Sequence, residues 1–279
     1  MRRLLKKLLN YWEKKREKKA LLKKYGFKIV YKRSTSIILG CFGQTPPKNG
    51  KVDLLDHNGN VLKKDIPEED AAKYMKEYED AAKKQYSDLP AEDATKRYLD
   101  DIALGRPYLD GKFWKATNNF GTEVKWVNQT SSNKLGIKIS KLIDDAISSS
   151  KPDKAFEGLV AKFVSDLEKQ MGKIDNFGNK ISRNLGELDI TTKKYLIECK
   201  KALSGKTISN KNRKTEFLEQ FRRYTDKTHK NYINIENKKV ILIIDELTDG
   251  LKHTNPVFKE LEDMGVTILT DYKQLINFK

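Results

Sequence analysis

LGELDITTKKYLIECKKA, residues 185–202, sets two β-forming runs on either side of Lys193-Lys194. Branched and aromatic residues fill both runs, so the stretch predicts an antiparallel hairpin. With the two lysines as the turn, Asp189 stands opposite Glu198, Leu188 opposite Cys199, Ile190 opposite Ile197, and Glu187 opposite Lys200. Directly opposed residues share a face, and successive residues alternate between faces. One face is then Leu188, Ile190, Ile197 and Cys199, wholly apolar, and the other carries Glu187, Asp189, Glu198 and Lys200. Lys-Lys lacks the glycine or asparagine that a tight turn prefers, which leaves a longer loop with a shifted register as the alternative. A slip of one residue on one strand would drive charges into the core, so parity is better determined than pairing.

Two carboxylates held side by side repel unless a cation sits between them. Oxygen ligands suit magnesium or manganese, which take one or two protein carboxylates and keep several waters. Such a metal serves phosphodiester hydrolysis as Lewis acid and water activator. Lys200, on the same face, is placed to orient the water or to offset charge on phosphorus. The functionless reading of the same residues is a solvent-facing ladder of ion pairs.

The flanking sequence supplies the layers such a hairpin needs. PDKAFEGLVAKFVSDLEKQ opens at Pro152 and puts Phe156, Leu159, Val160, Phe163, Val164 and Leu167 on one helical stripe. NRKTEFLEQFRRYTDKTHK predicts a second helix with Phe217, Phe221 and Tyr224 on its apolar face, and Gln220 lies inside that stripe, where an amide needs a specific partner. KKVILIID is a continuous apolar run, as in a strand covered on both faces. Asn255 caps PVFKELEDMG, Gly265 ends it, and VTILTD follows, giving a strand–helix–strand tail with a parallel crossover. The order is helix, antiparallel sheet of two or three strands, helix, strand, helix, strand.

Asp189 followed by IECK, with Glu198 and Lys200 after an apolar lead-in, resembles the D…(D/E)-x-K signature of the PD-(D/E)XK nuclease superfamily. The element order is similar too, and QFRRY matches the Q-x-x-x-Y of some branches at Gln220 and Tyr224. The similarity extends over roughly residues 145–272. It departs from the pattern before Asp189, where GEL stands in place of a proline. The resemblance implies an α+β chain whose C-terminal part is an α/β nuclease core, a mixed sheet flanked by helices. It also implies Asp189, Glu198 and the carbonyl of Cys199 as ligands of Mg2+ or Mn2+, and Lys200 as the catalytic lysine. Many members add an acid from the first helix; Glu157 is the candidate and Glu168 the alternative, while Glu187 is a rival or auxiliary ligand. Implied partners are DNA or tRNA, and a cognate inhibitor protein if the chain is a bacterial toxin effector. A restriction or repair endonuclease and a non-catalytic nucleic-acid-binding module are the alternatives.

The formal charge of +17 is unevenly spread: residues 1–34 hold 14 Lys/Arg against 2 acids. Residues 1–26, with apolar positions 4, 5, 8, 9, 12 and 22, read as a basic amphipathic helix. It either docks on its own domain or meets phosphate backbones or an anionic membrane surface. A small antiparallel meander with a turn at Asn58-Gly59 follows, then helices opened by Pro67 and Pro90. DHNGN lacks the EF-hand loop and reads as a plain turn. The polar NQTSSNK at 128–134 marks the predicted boundary between an α+β unit, 1–130, and the nuclease-like domain, 135–279. The basic loop 200–214 offers Lys201, Lys206, Lys211, Arg213 and Lys214 to a phosphate backbone.

Two cysteines, Cys41 and Cys199, make no disulfide framework or zinc site. SIILGC superficially resembles a lipoprotein cleavage site, but its apolar run is short and far from the N-terminus, so a buried strand ending at Cys41 is expected. No run reaches the roughly 18 apolar residues that span a bilayer. These features point to action in a reducing cytoplasm, either where the chain is made or in another cell. The three histidines, His57, His229 and His253, lack metal-site spacing.

Overall fold

The computed structural model describes residues 2–31, 50–129, 138–181, 185–203, 210–247, 252 and 254–278. The strand expected to end at Cys41, and the residues Lys206 and His253, lie outside them. The chain is a mixed α+β protein that divides into two units, Met1–Leu104 and Gly105–Lys279.

In the first unit, helix α1 (Arg2–Tyr25) precedes an antiparallel sheet of β1 (Lys28–Tyr31), β2 (Lys51–Leu55) and β3 (Val61–Pro67), then α2 (Ala71–Gln85) and α3 (Ala91–Ala103). The C-terminal turns of α1 are anchored. Leu21 and Tyr25 are buried, and Lys18 donates to Glu68 at 2.5 Å. The β2–β3 connection is the expected plain turn: buried Asp56 accepts from the Asn58 and Asn60 backbone N–H groups at 2.9 and 2.8 Å, and Gly59 takes φ +93°.

The second unit begins with an antiparallel meander, β4 (Tyr108–Asp110), β5 (Phe113–Thr117) and β6 (Glu123–Val127). Helices α4 (Ile139–Ile147), α5 (Pro152–Asp166) and the short α6 (Glu168–Met171) lead into β7 (Ile174–Ile181), β8 (Gly186–Thr192) and β9 (Tyr195–Lys200). Then come α7 (Lys211–Thr225), β10 (Lys239–Ile244), α8 (Pro256–Asp263) and β11 (Thr267–Leu269). The five strands run in the order β11-β10-β9-β8-β7, parallel from β9 to β11 and antiparallel from β7 to β9. β10, apolar and buried from Val240 to Ile244, is an interior strand between β9 and β11, as its composition requires. Phe217, Phe221 and Tyr224 of α7 and Val257, Phe258 and Leu261 of α8 cover one side of the sheet. Phe156, Val160 and Val164 of α5 and Ile143 of α4 cover the other.

The boundary differs from the sequence expectation, because residues 105–129 belong with the second unit. Val124 packs in the core with Phe217 and Phe221, and β6 is tied to the edge strand β7 through side-chain amides. Asn179 Nδ2 donates to the Val127 carbonyl at 2.8 Å, while Gln129 exchanges two bonds with the Phe177 backbone at 2.7 and 2.8 Å. The polar run 128–134 looked like a linker because Gln129 has loop composition, yet its amide closes an exposed strand edge.

Helix α5 is also rotated from its expected stripe. Leu159 is 45% exposed, while Glu157, Gly158 and Ala161 are buried. The cause is α4: a Cβ on Gly158 would stand 2.6 Å from the Ile147 backbone nitrogen, so the glycine lets the two helices approach. The helix ends at Asp166, short of the expected Gln170.

The hairpin has the expected register, Ile190 opposite Ile197 and Thr191 opposite Leu196. Its turn works without glycine because the Thr192 hydroxyl accepts from the Lys194 and Tyr195 backbone N–H groups, each at 3.2 Å, and donates to the Met171 carbonyl at 2.8 Å. The expected split into one apolar and one charged face does not hold. Leu188 packs with Leu196 and Phe221, whereas Ile190, Ile197 and Cys199 pack on the opposite side with α5. The alternation breaks at Asp189, whose Oδ2 accepts the Cys199 N–H at 2.8 Å. Gly178, two positions from Lys180 on β7, takes φ +55° beside the same break.

Candidate metal centre

Asp189 sits where β8 and β9 part, and it is buried. Glu187, two residues earlier, is half-buried, and Glu157 reaches the same place from the buried face of α5. One carboxylate oxygen from each of Glu157, Glu187 and Asp189 lies within 4.8 Å of the others. Lys154, one turn before Glu157, bridges the group: its Nζ is 2.6 Å from Glu157 Oε2 and 2.8 Å from Glu187 Oε1.

Glu198, 1% exposed, stands outside this trio. Its Oε1 accepts from Lys200 Nζ at 2.5 Å, and its Oε2 lies 3.3 Å from the Tyr224 hydroxyl. The sequence paired Asp189 with Glu198 as ligands. The structure instead groups Asp189 with Glu157 and Glu187, because the broken alternation leaves Asp189 beside Glu157 of α5 while Glu198 meets Tyr224 of α7. Cys199 offers its N–H to Asp189 and buries its thiol in the core. Gln220 has the partner its position demands, donating to the Tyr224 hydroxyl at 2.9 Å. That hydroxyl also lies 3.3 Å from the Glu187 carbonyl, so Tyr224 touches both parted strands.

The charges are not balanced. Burial pushes the Asp189 carboxyl well above the usual carboxylate range, and the nearby Glu198 and Glu157 push it further, against the opposing pull of Lys200 and the Cys199 N–H. Burial likewise raises Glu157, which Lys154 only partly offsets. Burial would lower the Lys200 ammonium, but Glu198 and Asp189 hold it above its ordinary value, so it is cationic at neutral pH. Burial pushes the Cys199 thiol and the Tyr224 hydroxyl up as well, and both stay protonated.

Other sequence-predicted residues lie elsewhere. Glu168 is exposed on α6 and is not part of the trio. Lys201 is committed to an ion pair with Asp245, with Glu246 at 3.3 Å and the Phe156 ring 5.8 Å away. Lys211 and Arg213 are exposed in the first turn of α7, beside half-buried Lys214. His57 is 3.5 Å from Asp100 and His229 is 2.6 Å from Glu219; neither joins a ligand group among the described residues. Sequence reasoning missed Lys154, whose spacing of three from Glu157 gives no sign of the second contact with Glu187.

The residues fit a divalent cation. All three clustered donors are hard carboxylate oxygens, which favour magnesium or manganese over zinc. The four acids Glu157, Glu187, Asp189 and Glu198 face two ammonium groups, Lys154 and Lys200, so acids outnumber cations by two, the charge one such ion would carry. No helix among the described residues is long and apolar enough to cross a membrane. Comparison with known proteins supplies no relative: no family model, no curated protein and no solved structure matches the chain.

Proposed function

We propose that the second unit is a divalent-metal-dependent nuclease of the PD-(D/E)XK type, hydrolysing phosphodiester bonds in DNA or RNA. The observation that carries this reading is the buried convergence of Glu157, Glu187 and Asp189 next to the Glu198–Lys200 ion pair, in a place with too few cations for its acids. A structural ion-pair network has no reason to leave Asp189 with a single backbone donor.

In this reading Asp189, Glu157 and Glu187 hold the ion. A bound magnesium or manganese supplies Lewis acidity and an activated water. Lys200, kept protonated by Glu198 and Asp189, places a fixed positive charge where negative charge grows on phosphorus. It does not serve as the base, because its proton is held too tightly. Tyr224 and Gln220 are positioning residues: they hold Glu198 and the β8 backbone, and so the spacing between Lys200 and the acids. The exposed Lys211 and Arg213, with half-buried Lys214, offer charge to a phosphate backbone.

The test is incubation of the purified chain with tRNA, plasmid and single-stranded DNA, in magnesium or in EDTA. Cleavage of at least one substrate that requires the metal and is lost in Asp189→Ala supports the reading. Salt-sensitive binding with no cleavage in any metal contradicts it and favours a binding module on the same fold.

A further inference from the structure

Lys154 stands where a shared cation would. Its Nζ contacts two of the three clustered carboxylates, at 2.6 Å from Glu157 and 2.8 Å from Glu187. Lys200, by comparison, pairs with Glu198, which is outside the cluster. The two lysines therefore divide the four acids unequally in kind: one supports a neighbour of the trio, and the other occupies the trio itself.

Three features mark the Lys154 contact as exchangeable. The side chain is 39% exposed, whereas its partner Glu157 is 8% exposed, so the ammonium can return to water while the carboxylate cannot. Lys154 lies in the first turn of α5, two residues after Pro152, where the helix dipole disfavours a positive charge. The pair with Glu187 spans 33 residues of sequence and joins a helix to a strand, so it is a tertiary contact that the helix alone does not impose.

We propose that Lys154 is a built-in counter-cation that the divalent metal displaces, and that it thereby sets the metal concentration at which the site fills. This rests on the metal-centre reading above. The lysine keeps Glu157 and Glu187 from repelling each other in the metal-free protein, and it competes with the ion for the same oxygens. The consequence is a weaker apparent metal affinity than the bare acids would give.

The experiment is calorimetric titration of Mn2+ and of Mg2+ into wild type, Lys154→Met and Lys154→Arg, with no nucleic acid present. Lys154→Met is expected to bind about tenfold more tightly than wild type, the scale of one charged hydrogen-bonded contact removed from competition. Lys154→Arg, which keeps the charge, is expected to stay within about threefold of wild type. Thermal melts of the same proteins are expected to show Lys154→Met below wild type without metal and level with or above it in saturating metal. Unchanged or weaker metal binding in a folded Lys154→Met would overturn the proposal, since a lysine that merely positions the acids behaves that way. A wild type that binds neither ion sinks both the metal centre and this proposal. If Lys154→Met does not fold, the reductive methylation rate of Lys154 in wild type decides: faster reaction in saturating Mg2+ supports displacement, and an unchanged rate rejects it.

Discussion

Glu79 of the first unit and Asp189 of the second are both 5% exposed, yet their carboxyls move in opposite directions. Burial raises both. Glu79 then receives three donors, Lys83 Nζ at 2.6 Å, the Tyr25 hydroxyl at 2.7 Å and Lys76 Nζ at 3.0 Å, and its carboxyl falls to about 2. Asp189 receives one backbone N–H and faces Glu198 and Glu157, so its carboxyl rises well above the usual range. Asp189 lies much deeper beneath the surface than Glu79, so burial raises it more strongly. They differ too in whether the chain supplies its own cations: around Glu79 it does, and the acid is an anchor, whereas around Asp189 the neighbouring acids outnumber the lysines.

The largest effect expected from this contrast is on activity. Asp189→Ala or Lys200→Ala should lower metal-dependent cleavage by about 10²-fold or more, the scale of a lost charge-stabilising group. Glu79→Ala should leave any such cleavage by the folded protein within about twofold, because Glu79 lies in the first unit and outside the acid cluster.

Stability should respond in the reverse sense. Glu79→Gln is expected to cost the first unit about 2 kcal/mol at pH 7 by denaturant titration, discounted because its two lysines are partly exposed. A folded-state carboxyl below its unfolded value stabilises above the unfolded pKa, near 4.3 for glutamate. That contribution should be lost as pH falls from there toward about 2.

Asp189→Asn, by contrast, is expected to raise metal-free stability by about 1 kcal/mol, as strained functional sites often do when neutralised. Here the folded carboxyl is raised, so its cost is absent below the unfolded aspartate pKa, near 3.9, and fully present above the raised folded one. In EDTA, wild type should therefore gain stability relative to Asp189→Asn as pH is lowered from 8. A mutant less stable than wild type in EDTA across that range would erase the distinction between the two acids.

The element order of the second unit was legible from periodicity and end signals. Pro152, Asn255 and the unbroken KKVILIID all sit where the structure uses them. The hairpin pairs as first read next to its turn, Ile190 against Ile197, although the sequence also left a shifted register open. What the sequence could not show was the break at Asp189. Strict alternation assumes an intact ladder, and here a side chain takes the Cys199 N–H in place of a backbone carbonyl. That local exchange sent Leu188 to the other core and left Asp189 clustered with Glu157 and Glu187. The boundary was misread for a related reason, since Gln129 and Asn179 act as strand-edge partners while having the composition of loops. Lys154 escaped notice because a lysine three residues from a glutamate is ordinary on a helix surface, and only tertiary structure brings Glu187 to the same ammonium.

Diffraction from crystals soaked in Mn2+, recorded for its anomalous signal, addresses the metal centre directly. One ion per chain is expected, in contact with carboxylate oxygens of Asp189 and Glu157, with Glu187 turned toward it and Lys154 withdrawn. Anomalous density that is absent from the Glu157, Glu187 and Asp189 cluster, or that sits only at surface acids, would contradict it.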